Sequence, residues 1–115
     1  MRLQVINHLH LNVSDMARAE VFYQKVLGLE KSDQDSDGTV HFNCGSFDIG
    51  LIPGEAPQHA NFHFGYRTGS RQEVRDWRVH LERSHVRIDT FVDDGSNTAL
   101  SFRDPEGYRI DIYFE

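Results

Sequence analysis

The chain states one pattern twice, and that repetition constrains its fold more than any other feature. An alternating apolar segment, a helix-spaced segment and several short alternating segments follow in that order, and then follow again. Sliding the sequence by 55 places His8 on His63, Ala19 on Val74, Phe22 on Trp77 and Val26 on Leu81. Sliding it by 61 places Ile49 on Ile110, Gly50 on Asp111 and Leu51 on Ile112. The six-residue difference between these offsets fits an insertion in a loop. The likeness lies in pattern more than in identity, and it predicts a duplicated β-α-β-β-β unit.

Local signals supply the elements. Leu3, Val5, Leu9, Leu11 and Val13 alternate with polar residues, which predicts a half-buried strand over Leu3 to Val13. Ser14-Asp15 offers an N-cap, and Ala19, Phe22 and Val26 recur at helical spacing over Met16 to Leu27. Gly28 suits the C-terminal cap. Asp33 to Gly38 reads as a polar turn, and 39–44 with 47–52 as a hairpin closed by Gly45-Ser46. Module one thus covers 1–53, a polar linker 54–60, and module two 61–115, all within one domain. In module two a strand over Asn61 to Arg67 precedes a capping box, Ser70-x-x-Glu73, and a helix carrying Val74, Trp77 and Leu81. Strands over 87–92, 98–103 and 108–114 follow. Asp104-Pro105-Glu106-Gly107 has the residues of a type I turn.

Composition limits the classes of function. A formal net charge of −6 leaves no basic stripe for nucleic acid or an anionic membrane. No apolar run approaches the roughly 18–20 residues of a membrane span, and the N-terminal stretch does not read as a signal peptide. The single Cys44 excludes an internal disulfide and two-cysteine metal or redox motifs. The expectation is a soluble cytoplasmic α+β domain. Seven histidines among 115 residues are the unusual item, so their placement matters.

Strand parity places them. One face of each strand is apolar and packs on the helices. The other carries His8, His10 and Asn12, then Asp48 and Gly50, then His63, Gly65 and Arg67, and finally Ser101, Arg109, Asp111 and Tyr113. Taken singly, a histidine on an open sheet face is an ordinary solvated residue. The set is less ordinary. His8 and His63 occupy the same place in the two modules, and Asp111 occupies the matching place in the last strand. Two imidazoles and a carboxylate from three strands are a usual ligand set for a divalent metal with open positions. Gly50 and Gly65 weaken strands unless space is needed beside such groups.

The stretch from Ile6 to Asp15 (INHLHLNVSD), with Phe22-Tyr23 and Val26-Leu27-Gly28-Leu29, resembles the opening of the vicinal oxygen chelate superfamily. That group covers glyoxalase I, bleomycin-resistance proteins, fosfomycin-resistance enzymes and extradiol dioxygenases. The ending from Asp104 to Ile112 (DPEGYRIDI) resembles the family's closing turn and strand, and His63-Phe64-Gly65-Tyr66 its middle metal-binding strand. The resemblance implies two tandem β-α-β-β-β modules whose curved mixed sheet surrounds a cleft. It implies a divalent metal (Fe, Mn, Ni or Zn) held by His8, His63 and Asp111, and pairing of chains into a homodimer. The family usually has Glu at the last ligand position. Glyoxalase I has a further Glu where Gly50 stands, which argues against that activity. Phe91, Gly95, Ala99 and Ser101 do not match the phosphonate-binding groups of the fosfomycin enzymes. The added His and Tyr of the dioxygenases are not visible.

The implied function is a metal-dependent lyase, isomerase or dioxygenase acting on vicinal oxygens, the metal stabilising an oxyanion. The alternative is a metal-free small-molecule binder of the bleomycin-resistance type. His10, two residues and roughly 6–7 Å beyond His8 on one face, is the candidate proton shuttle, or else lines the wall. Arg67 and Arg109 suit a substrate carboxylate, or a surface ion pair with Asp48 or Asp111; Tyr113 suits the rim. His41 falls near a cleft or a dimer edge. His59, His80 and His85 read as solvated, and Cys44 as a buried inert thiol. Asp33, Asp35 and Asp37 are no calcium loop, because Cys44 stands where that motif needs Glu.

Overall fold

A computed structural model describes residues 1–57 and 61–115. His59 lies outside the described residues. The chain divides into two units, Met1–Gln58 and His59–Glu115.

The first unit contains β1 (His8–Val13), α1 (Met16–Val21), β2 (Glu30–Gln34), β3 (Val40–Cys44) and β4 (Phe47–Pro53). Its four strands run in the order β1-β4-β3-β2, with β1 parallel to β4 and the other pairs antiparallel. The second unit contains β5 (His63–Arg67), α2 (Arg71–Arg83), β6 (Ile88–Asp93), β7 (Thr98–Arg103) and β8 (Arg109–Phe114). Its order is β5-β8-β7-β6, again with only the outer pair β5/β8 parallel. Each unit is therefore the same α+β, β-α-β-β-β module. In each, the helix and the two strands that follow it make up the crossover between the parallel pair.

Alternation fixes which face is buried. In the first unit Leu11, Val13, Val40, Phe42, Ile49 and Leu51 are buried on the helix side. Tyr23 packs there against Phe42, ring centroids 6.1 Å apart. In the second, Val74 and Leu81 of α2 are buried, as are Leu100, Phe102, Ile110 and Ile112 of the sheet. Each such side chain contributes about 1.5–3 kcal/mol by leaving water. Caps then fix the ends. Asp15 accepts the Arg18 N–H at 3.1 Å, and Ser70 accepts the Glu73 N–H at 3.2 Å. Asp104 accepts the N–H groups of Glu106 and Tyr108, both at 2.9 Å, which closes the β7–β8 turn.

Three local expectations are corrected. The first strand begins at His8, not Leu3, and Leu3, Val5 and Ile6 are exposed. Its ladder with β4 starts at His8–Asp48, preceded by the Asp48 N–H to Asn7 O bond, and among the described residues no strand pairs with the residues before Asn7. The helix expected to Leu27 is α-helical only to Val21 and continues as a π-helical turn over Phe22–Val26, closed by Gly28 at φ 74°. Part of the expected polar turn at Asp33 belongs to β2, a strand of the sequence EKSDQ that period-two hydrophobicity cannot reveal. It is an edge strand, where charged residues guard against unwanted pairing.

Candidate metal centre

Register builds the polar face of the first sheet. His10, Gly50 and His41 stand side by side across β1, β4 and β3, and Asp48 stands opposite His8 one pleat away. Residues two apart on a strand share a face. The His10 ring fills the space that Gly50 leaves: a Cβ on Gly50 would lie 2.6 Å from His10 Cδ2. His10 Nε2 reaches Asp48 Oδ2 at 3.3 Å, and His41 Nδ1 reaches the same oxygen at 3.1 Å. The other nitrogen of His41 lies 2.9 Å from Asp35 Oδ2. The hydrogen bond to Asp35, then that to Asp48, raises the His41 pKa above its ordinary value. The His8 ring is 5.3 Å from that of His10.

The second sheet repeats this plan with the parts exchanged. His63, Arg109 and Arg103 form one row across β5, β8 and β7; Gly65, Asp111 and Ser101 form the next. Here the glycine is on the first strand and the large polar residue on the last. A Cβ on Gly65 would meet Asp111 Cβ at 3.3 Å. His63 Nε2 lies 3.8 Å from Asp111 Oδ2. Arg109 donates to both Asp111 oxygens, at 3.0 and 3.4 Å. Ser101 is buried and shares a 2.6 Å hydrogen bond with Thr90. Arg87, Asp89, Thr90, Ser101, Arg103 and Arg109 line a surface cavity of about 570 Å³.

His8 in the first unit, and His63 and Asp111 in the second, carry the donor types that a divalent metal takes. His63 Nδ1–H donates to Asn61 O at 3.0 Å, and His8 Nδ1–H to Asn7 Oδ1 at 2.8 Å. Those oxygens only accept, so each neutral ring presents a bare Nε2 lone pair. At His63 that nitrogen lies 3.8 Å from Asp111 Oδ2, close enough for one cation to be held between them. A partner on the second ring nitrogen is the usual support of a ligating histidine.

The remaining expected residues are placed as follows. Arg109 forms the anticipated ion pair with Asp111. Arg67 turns to the chain end: its Nη2 donates to Glu115 O at 3.2 Å, and the guanidinium lies 5.9 Å from the Phe114 ring centroid. Tyr113 is half-buried opposite Arg67. His80 and His85 are exposed, and burial raises the Cys44 pKa. Asp37 accepts the Thr39 N–H at 2.9 Å and so caps its own turn. His41, on the polar face of its strand by parity, gains Asp48 and Asp35 as partners that parity alone did not give it. The signal was the shared parity of His41 and Asp48 on neighbouring strands, legible only once the hairpin register is known.

The family model for the Glyoxalase/Bleomycin resistance protein/Dioxygenase superfamily matches residues 5–112. The chain belongs to this superfamily. Among its curated members the chain is 26% identical to the glutathione transferase FosA of Serratia marcescens, covering 96% of this chain and 81% of that one. It is 25% identical to the metallothiol transferase FosB of Staphylococcus epidermidis, covering 94% and 81%. Among solved superfamily structures, lactoylglutathione lyase from Agrobacterium tumefaciens superposes with a TM-score of 0.84 at 21% identity, covering 99% and 96%. The fosfomycin resistance protein FosX from Listeria monocytogenes gives 0.87 at 14%, covering 99% and 95%. These superpositions show the shared fold. Among the described residues no helix is long and apolar enough to cross a membrane.

Proposed function

We propose that this chain is a metal-dependent enzyme acting on a small anionic molecule with vicinal oxygens, with His8, His63 and Asp111 as metal ligands. The observation that carries the reading is the approach of His63 Nε2 to Asp111 Oδ2 at 3.8 Å, with Nδ1 already committed to a backbone carbonyl. When bound, the metal would supply Lewis-acid stabilisation of an oxyanion. The protein's own residues do the rest. Arg109 and Arg103, in the cavity beside Asp111, hold the anionic group of the substrate. Arg109 also orients Asp111 through its two hydrogen bonds. His10, on the strand and face of His8 and steadied by Asp48, is the acid–base group. Arg67, engaged at the chain end, and Tyr113 serve the rim.

The relatives support this class of chemistry, being named as a glutathione transferase and a metallothiol transferase. The departures at Phe91, Gly95, Ala99 and Ser101 favour a substrate other than fosfomycin. The test is turnover by chelator-stripped and metal-restored protein against a panel of fosfomycin with thiols, lactoylglutathione and related vicinally oxygenated anions. Restored protein turns over at least one of them, and His63→Ala loses that activity. A binder that retains ligand affinity equally with and without metal would overturn the proposal.

A further inference from the structure

We propose that His10, His41 and Asp48 form a second site for a divalent transition ion, lying wholly within the first unit and positioned by Asp35. This site shares no residue with the His8, His63 and Asp111 set and stands whether or not that set holds metal.

Three observations carry it. One ligand atom from each of the three residues lies within 4.8 Å of the others. Both rings converge on a single oxygen, Asp48 Oδ2, at 3.3 and 3.1 Å. Charge-assisted hydrogen bonds usually run about 2.7–2.9 Å. Two ligands each about 2.0–2.1 Å from a tetrahedral metal stand about 3.3 Å apart. The spacing thus resembles the edge of a coordination tetrahedron more than a tight ion pair. Second, the outward nitrogen of His41 is held by Asp35 at 2.9 Å. A carboxylate behind a ligating imidazole is the outer-shell arrangement that orients such rings and raises their basicity. Third, Gly50 stands between the two histidines in register and would overlap the His10 ring if it bore a Cβ. The missing side chain lets His10 lie across β4 toward Asp48.

The donor set names the class of ion. Two imidazoles and one carboxylate suit Zn²⁺ or Fe²⁺; Ca²⁺ and Mg²⁺ prefer oxygen cages. The side chains of His10, Asp48 and His41 are 38%, 33% and 18% exposed, so an ion can enter from solvent and keep open positions for water or another ligand. An ion here takes the place of a proton on His10 and so withdraws that residue from acid–base work in the proposed reaction.

The probe is Zn²⁺ itself, titrated calorimetrically into the full chain carrying His63→Ala and Asp111→Ala. One Zn²⁺ per chain is expected to bind. Adding His41→Gln or Asp48→Asn abolishes that binding, and adding Asp35→Asn weakens it by about 10–100-fold. Gly50→Ala in the otherwise unaltered chain keeps every donor atom but drives the His10 ring aside. It is expected to lower the Zn²⁺ stoichiometry by one, whatever His63 and Asp111 hold. No Zn²⁺ bound by the His63/Asp111 variant, undiminished binding after His41→Gln and Asp48→Asn, or an unchanged stoichiometry in Gly50→Ala would each overturn the inference.

Discussion

Replacing each of the two sheet glycines by alanine separates space kept for a side chain from space kept for a backbone. Neither residue has a left-handed φ, so alanine meets only what surrounds it. At Gly50 the new Cβ would lie 2.6 Å from Cδ2 and 2.9 Å from Nε2 of His10, the end of a side chain that can rotate outward. The cost is the His10–Asp48 hydrogen bond, about 0.5–1.5 kcal/mol. Reduced freedom of the unfolded chain offsets about 0.4–1 kcal/mol of it. The net change for Gly50→Ala is therefore within about 1 kcal/mol. At Gly65 the new Cβ would lie 3.2 Å from the backbone oxygen of Asp111 and 3.3 Å from its Cβ. Neither atom can swing away, and the strands must shift. Overpacking of this kind costs about 1–3 kcal/mol, so Gly65→Ala is the more destabilising variant. Urea unfolding of the full chain measures both. With a slope of about 1–3 kcal/mol per molar urea, Gly65→Ala lowers the midpoint by several tenths molar or more while Gly50→Ala barely moves it. A larger loss for Gly50→Ala than for Gly65→Ala would refute the reasoning.

Other outcomes follow from the same contacts. Phe42→Ala empties a fully buried position beside Tyr23 and should cost about 3–5 kcal/mol in the same urea assay. His41, whose pKa is raised by Asp35 and Asp48, contributes stability that is fully present below its ordinary pKa near 6.5 and fades as pH rises through the folded value. Histidine-ring NMR should show His41 titrating above the ordinary histidine value, and Asp35→Asn should bring it back toward that value.

The duplicated module was legible because its signals are local and repeated: alternation in β5 and β8, the Ser70 cap, the Asp104 turn. Apolar periodicity says nothing where a strand buries little, so polar β2 was hidden. It also misleads where a pattern has no partner, as at Leu3 and Val5, which alternate correctly yet remain exposed. In the candidate site, parity alone put His8, His10, Asp48, His63, Arg109 and Asp111 on the polar faces, because a period of two needs no knowledge of register. What parity could not give was which residues touch. The meeting of His41 with Asp48 depends on the hairpin register and on the room above Gly50. The meeting of His41 with Asp35 depends on a turn that follows a strand invisible to periodicity. Arg67 shows the opposite limit: its parity is right, but the chain-terminal carbonyl and the Phe114 ring engage it.

The central claim is that His8, His63 and Asp111 hold a divalent metal. Its most direct test is elemental analysis of the His41→Gln/Asp48→Asn chain, which removes the other candidate site, purified without chelator after exposure to Fe, Mn, Ni and Zn. About one divalent ion per chain is expected from the three-ligand set, and none once His63→Ala is added. A chain that takes up no metal, or that keeps its metal after His63→Ala, would contradict the account.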